Sequence, residues 1–275
     1  MSQKEGALSY SVKGKRALVT GGSAGIGAAF ARELARSGAV VGICARRRQL
    51  LDQVLADCQV DSPDSRSWVV DLAELDGIAG FAAQVEAELG GVDILVNNAG
   101  IPKRRHIKDL TVAEVDAVNA LNYLSPVRLT LALLPGMVAR GDGRIVNVSS
   151  VAARLGPPRE AAYSATKAAI TLFSESMAVD LHGTGVTVHV VNPGIIDTEL
   201  FHLPDNEPTL SDLPAERAED LATAMREQLE NGTFEMFFPS WFKDVAVSKL
   251  ADEDTFIAGS AEWVAARIKT LEAQG

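Results

Sequence analysis

The segment AAYSATKAAI sets Tyr163 and Lys167 four positions apart in a stretch of helical periodicity, so the two side chains share one face, a single turn apart. A phenol with an ordinary pKa near ~10 exchanges its proton too reluctantly for acid or base work at neutral pH, and a fixed ammonium beside it stabilises the phenolate. Such a pair also arises by chance, so its neighbours must decide. Thirteen residues before Tyr163, the apolar run IVNVSS ends on Ser149 and Ser150, and Asn122 falls in a long helical stretch upstream. In an open α/β sheet the carboxyl ends of the strands are where ligands bind.

A second pattern lies near the start, where TGGSAGIG, Thr20 to Gly27, directly follows the apolar run Ala17 to Val19. In a strand-to-helix connection Gly21 can give the turn, Gly25 can let the backbone close on a pyrophosphate, and Gly27 can let the helix pack tightly. Ser23 and Ile26 lie among them at the helix start, whose free N–H groups suit an anion, although a purely structural turn would carry the same glycines. Roughly 20 residues on, ICARRRQL places Ala45 where a NAD-binding fold usually carries an acid for the ribose 2′-hydroxyl, and follows it with Arg46, Arg47 and Arg48. Arginines can hold a 2′-phosphate through paired charge-assisted bonds, whereas a carboxylate would repel it. NADP(H) is therefore expected over NAD(H), with a solvated helix start as the plainer reading of the arginines.

These residues need a scaffold that brings them together. Short apolar runs at Arg16 to Thr20, Val40 to Ala45, Ser67 to Val70, Ile94 to Asn97, Arg144 to Ser149 and Val186 to Asn192 alternate with helical patterns at Ile26 to Ser37, Arg47 to Gln59, Leu75 to Leu89, Val112 to Arg140 and Ala161 to His182. That alternation predicts an α/β fold: a doubly wound, mostly parallel sheet with helices on both faces, Rossmann-like, its strands apolar throughout because both faces are covered. A seventh strand at Phe234 to Phe238 and a last helix at Ala261 to Ala273 complete the pattern, with a loop from Phe201 to Pro214 and a polar helix to Glu230 between. No linker interrupts the order, so one domain spanning 1–275 is expected.

Composition narrows the partners. With 36 acidic against 26 basic residues the formal net charge is -10, a field that repels nucleic acid and anionic lipid. The opening residues carry no apolar signal core, and no run nears the roughly 18 apolar residues of a membrane span, which reads as cytoplasmic. Cys44 and Cys58 have no neighbouring His ligands and read as buried or idle thiols, leaving no metal site. His106, His182, His189 and His202 fall in no ligand pattern, and His189 reads as a satisfied core residue.

TGxxxGIG at Thr20 to Gly27, Asp71 after the third strand, NNAG at Asn97 to Gly100, the set Asn122, Ser150, Tyr163 and Lys167, and NPG (Asn192, Pro193, Gly194) with Thr198 after the sixth strand occur in this order. From about Lys15 to Thr198 the chain resembles the short-chain dehydrogenase/reductase family, of its common cytosolic, single-domain type. The resemblance implies that Tyr163 is the general acid or base, that Ser150 holds the substrate oxygen, and that Lys167 depresses the phenol pKa and holds the nicotinamide ribose. It implies that Asn122 breaks a helix bond and seats a proton-relay water, although an exposed helix asparagine is the other reading. The thirteen-residue spacing favours Ser150 over Ser149. Asp71, with Leu72 beside it, would meet the adenine unless it serves as a helix cap; Asn98, Ala99 and Gly100 would line the cofactor, and Thr198 with the backbone of Ile196 would meet the carboxamide. Family members usually form homodimers or homotetramers.

Beyond Thr198 the chain departs from the commonest family pattern. Residues 199–260 take the place that covers the substrate in the family, and FEMFFPSWFKD gathers Phe234, Phe237, Phe238, Trp241 and Phe242. A bulky, apolar carbonyl or alcohol substrate is one reading; core packing, a dimer interface and a membrane-docking patch are others. A non-catalytic nucleotide-binding regulator, or structural subunit, should lack part of the four-residue set, and this chain keeps all of it. An epimerase or dehydratase of the extended fold is disfavoured by the glycine spacing.

Overall fold

The computed structural model describes residues 10–272. Strands β1 (Arg16–Thr20), β2 (Val40–Ala45), β3 (Arg66–Val69), β4 (Ile94–Asn97), β5 (Gly143–Val148), β6 (Val186–Pro193) and β7 (Glu235–Phe238) form one sheet in the order β3-β2-β1-β4-β5-β6-β7. Every neighbouring pair is parallel, which realises the expected Rossmann-like architecture. The helices are α1 (Gly25–Arg36), α2 (Arg48–Asp61), α3 (Ile78–Leu89), α4 (Val112–Asn119), α5 (Ser125–Arg140), α6 (Ala152–Leu155), α7 (Ala161–Asp180), α8 (Ala218–Asn231), α9 (Phe242–Ala251) and α10 (Glu253–Glu272).

Successive strand residues point to opposite faces, and both faces are covered. Val19, Ile43, Val96 and Val146 join one core with Phe30 of α1, Leu51 of α2 and Leu221 of α8. Their neighbours Leu18, Cys44, Leu95 and Ile145 join a second core with Phe81 of α3, Leu133 of α5 and Met177 of α7. This two-sided burial is why the strands read as continuous apolar runs. His189 is the core residue expected, bonded to Thr187 Oγ1 and to the Thr233 carbonyl, both at 2.9 Å; burial lowers its pKa to about 4. Both cysteines are free and buried.

The register aligns Val19 with Val96, Asn97 with Asn147 and Val148 with Val191. The turns after β1, β4, β5 and β6 consequently leave from one edge of the sheet. Chain order reverses between β1 and β4, and a crevice opens there.

Several boundaries differ from the periodicity. The helical stretch Leu75 to Leu89 begins as a 3₁₀ turn, Leu75–Gly77. The stretch Val112 to Arg140 is two helices joined by a π-helical turn, Ala120–Leu124, a local widening that sequence period does not register. α6 and α9 lie where the sequence shows no helical period, and α10 starts at Glu253 rather than Ala261. The Asp252 carboxylate explains that start, because it accepts a hydrogen bond from the Thr255 N–H at 3.0 Å and caps the helix. The expected end of that helix, Ala273, lies outside the described residues. No described helix is long and apolar enough to cross a membrane.

Candidate active site

At the carboxyl edge, α7 presents Tyr163 and Lys167 to one cavity of about 530 Å³, opposite Ser150 at the end of β5. The Ser150 hydroxyl hydrogen-bonds to the Tyr163 phenol and accepts a bond from the Ala152 N–H at 3.1 Å. Ser149 is used differently: its hydroxyl donates to the Lys167 carbonyl at 3.0 Å and shares a 2.7 Å bond with Thr171 Oγ1. Ser149 thus fastens α7 to the sheet, and Ser150 is the serine that faces the phenol.

The Lys167 ammonium lies 5.6 Å from the Tyr163 ring centre and donates to the Val148 carbonyl at 2.8 Å. Asn122 sits behind it in the π-helical turn, only 2% exposed, which rules out a surface asparagine. Its amide clasps the backbone of Ile101, accepting from the N–H at 2.8 Å and donating to the carbonyl at 2.9 Å. A Cβ on Gly100 would stand 3.1 Å from Asn122 Oδ1 and 3.6 Å from Lys167 Nζ, so the loop after β4 is pressed into the site. Three of the four residues share the cavity, and the fourth holds its wall.

The electrostatics correct one expectation. The Tyr163 pKa is raised, not lowered: burial is the largest cause, the Glu160 carboxylate adds to it, and the Ser150 bond and the Arg104 charge only partly oppose it. Burial also lowers Lys167 to about 8. The ammonium directs its hydrogen bond at a carbonyl rather than at the phenol, so desolvation dominates. The phenol is therefore held in its neutral form.

Next to this cavity runs a groove of about 370 Å³, walled by Gly21, Ser23, Gly25, Ile26, Arg46, Arg47, Asp71 and Leu72 on one side and by Asn98, Ala99, Gly100 and Thr198 on the other. Ile26, Asn98, Gly100, Thr198 and Leu200 line both spaces, while Pro193, Gly194 and Ile196 line the larger one. Gly21 has φ +65°, and a Cβ there would lie 2.9 Å from the Ala99 Cα; one on Gly27 would lie 2.5 Å from the Gly21 carbonyl oxygen. The Thr20 hydroxyl ties the two sides together, accepting from the N–H groups of Asn98 and Ala99 at 3.0 Å each. Two bare backbone loops thus meet across the switch point at the start of α1, a cradle suited to a pyrophosphate. Asp71 accepts from the Ala73 N–H at 2.9 Å, capping its own turn rather than a helix.

Comparison with known proteins agrees with this geometry. Residues 15–207 match the family model described as short chain dehydrogenase. The chain belongs to the short chain dehydrogenase family. A short chain dehydrogenase of Pseudocercospora fijiensis is 41% identical over 192 residues, covering 69% of this chain and 62% of that protein, so the chain spans under two-thirds of the length of that relative. The crystal structure of a short-chain dehydrogenase from Streptomyces avermitilis matches with a TM-score of 0.76 at 31% identity, covering 94% of this chain and 99% of the other. A family structure from Burkholderia phymatum, in complex with NAD, shares the fold with a TM-score of 0.81 at 21% identity, covering 90% and 96%.

Family motifs did not mark every residue the structure brings to the cavity. Arg104, 5% exposed, and Glu160 both line it, and burial raises Glu160 to about 7 with the Arg104 charge opposing. Of the five clustered aromatics only Phe242 lines the cavity. Phe238 and Phe234 pack against the two cores, and Trp241 stacks on Phe242 with ring centres 3.9 Å apart. Phe242 is thus the member of the aromatic segment that reaches the cavity, and Trp263 of α10 supplies a second ring. The roof is the segment after Thr198, held by ion pairs of Lys103 with Asp205 at 2.7 Å and Arg159 with Glu207 at 3.2 Å. The charges stand in the sequence as KRR at 103–105 and Arg159 against DNE at 205–207, but 48 to about 100 positions of chain separate the partners and no periodicity connects them.

Proposed function

We propose that this protein is an NADP(H)-dependent oxidoreductase that interconverts a bulky, apolar ketone and its secondary alcohol. The observation that carries the reading is that Ser150, Tyr163 and Lys167 meet in one cavity that opens onto the glycine-walled groove. When bound, the nicotinamide supplies or accepts the hydride. Ser150 and Tyr163 hydrogen-bond the substrate oxygen where negative charge develops, and the phenol, kept protonated by burial, passes its proton to that oxygen. Lys167, with a pKa of about 8, remains mostly an ammonium at neutral pH and holds the ribose. Asn122 keeps the Gly100–Ile101 backbone against Lys167 through its clasp.

NADP(H) is favoured because Ala45 stands where an acid would repel a 2′-phosphate, and because Arg46 and Arg47 both wall the groove. The apolar substrate is supported by Leu155, Ile195, Leu210, Phe242 and Trp263 in the cavity wall; the segment 199–260 covers it in part, with Trp263 beyond. The test is NADPH oxidation by the purified protein across a panel of bulky apolar ketones, with Tyr163→Phe expected to abolish turnover and to retain NADPH binding. Turnover by the Phe variant at the wild-type rate would overturn the assignment.

A further inference from the structure

The two arginines expected to read a 2′-phosphate are each already facing a carboxylate. Arg47 Nη1 lies 2.7 Å from Glu199 Oε2, and Arg46 Nη1 lies 3.6 Å from Asp71 Oδ2. The Glu199 pair spans 152 positions of sequence. It joins the turn before α2, where a phosphate would sit, to the first residue of the segment that roofs the substrate cavity. Thr198 and Leu200, on either side of Glu199, line both the groove and the cavity. The far part of this roof is pinned independently, through Asp205 and Glu207. Glu199 thus ties the near end of the roof to the groove, just beyond the backbone bonds of Ile195 and Asp197 with Glu216.

We infer that Glu199 is a specificity-determining residue for the cofactor: it occupies Arg47 as an internal stand-in for a 2′-phosphate, and a 2′-phosphorylated nucleotide must displace it, unfastening the near end of the roof. This rests on the NADP(H) reading of Arg47 given above. A carboxylate and a phosphate are both anions, and they repel one another when brought to the same guanidinium. The phosphate carries more charge and more acceptor oxygens, so it wins the exchange. Arg47 and Glu199 are more than half exposed, so the pair is weak and the exchange is easy.

The inference is tested by calorimetric titration of the full chain with adenosine 2′,5′-bisphosphate and with adenosine 5′-monophosphate. Glu199→Gln should bind the bisphosphate more tightly by on the order of fivefold, the equivalent of about 1 kcal/mol, and should bind the monophosphate as wild type does. Arg47→Ser should weaken the bisphosphate alone. Amide hydrogen exchange supplies a second readout: the bisphosphate should speed exchange over residues 199–203 in the wild type, and Glu199→Gln should show the faster exchange without ligand. If Arg47→Ser weakens the bisphosphate while Glu199→Gln changes neither affinity nor exchange, the stand-in role falls and the NADP(H) reading stands. If Arg47→Ser also leaves the bisphosphate unaffected, both fall.

Discussion

Glu160 offers a sharp test of the electrostatics around Tyr163. Its carboxyl is largely buried in the cavity wall, and its pKa rises from 4.5 to about 7 because desolvation outweighs the attraction of Arg104. Between those two values the folded chain holds a proton that the unfolded chain has released, so stability falls as pH climbs through this window. At about 1.36 kcal/mol per pKa unit the whole interval corresponds to about 3 kcal/mol, an upper figure because solvent reaches part of the group. Glu160→Gln removes the charge and keeps the shape. The variant should match the wild type at pH 4.5, where both carry a neutral side chain, and should be more stable by about 1 to 3 kcal/mol at pH 8. Denaturant unfolding at a series of pH values measures this directly. Parallel stability curves for the two proteins from pH 4.5 to 8 would refute the reasoning. The same exchange removes a negative charge that raises the Tyr163 pKa, so the acid-side limb of alcohol oxidation, where the phenolate base becomes protonated, should move to lower pH.

Arg46→Asp should shift nucleotide preference from NADPH toward NADH by roughly 10- to 100-fold, since a charge-assisted phosphate contact is worth about 1.5 to 3 kcal/mol; paired binding titrations check it, and an unchanged ratio counts against the arginine reading. Gly27→Ala places a methyl 2.5 Å from the Gly21 carbonyl oxygen, and the overlap should cost about 1 to 3 kcal/mol of stability and weaken nucleotide binding. Asn122→Ala leaves the Ile101 N–H and carbonyl without their partners. A loss of about 1 to 3 kcal/mol in chemical denaturation is expected, with Lys167 displaced and turnover reduced.

The central strands were legible because two-sided burial demands unbroken apolar runs, and all seven strands, the part-exposed edges β3 and β7 included, lie within a residue of their expected bounds. The chemical residues were legible because their spacing is fixed by local geometry: one helical turn between Tyr163 and Lys167, one strand-to-helix turn for the glycines. What escaped depends on distance in space. The phenol's acidity is set by burial and by Glu160, neither of which a Tyr-x-x-x-Lys pattern reports. The π-helical turn at Asn122 breaks the period of a stretch that reads as one helix. The aromatic segment divided between core and cavity because Phe234 and Phe238 point into packing layers, and composition alone does not sort them.

Part of the wall of the larger cavity is built late in the chain. Leu210 and Leu213 follow the stretch matched by the family model, Phe242 opens α9, and Trp263 comes from a helix whose Arg267 donates a hydrogen bond back to the Leu210 carbonyl at 3.2 Å. The cavity wall is thus shared between the matched stretch, which supplies Leu155 and Ile195 beside Tyr163, and the later segment beyond it. Two proteins alike through residue 207 can therefore still differ in the part of the wall formed by Leu210, Leu213, Phe242 and Trp263.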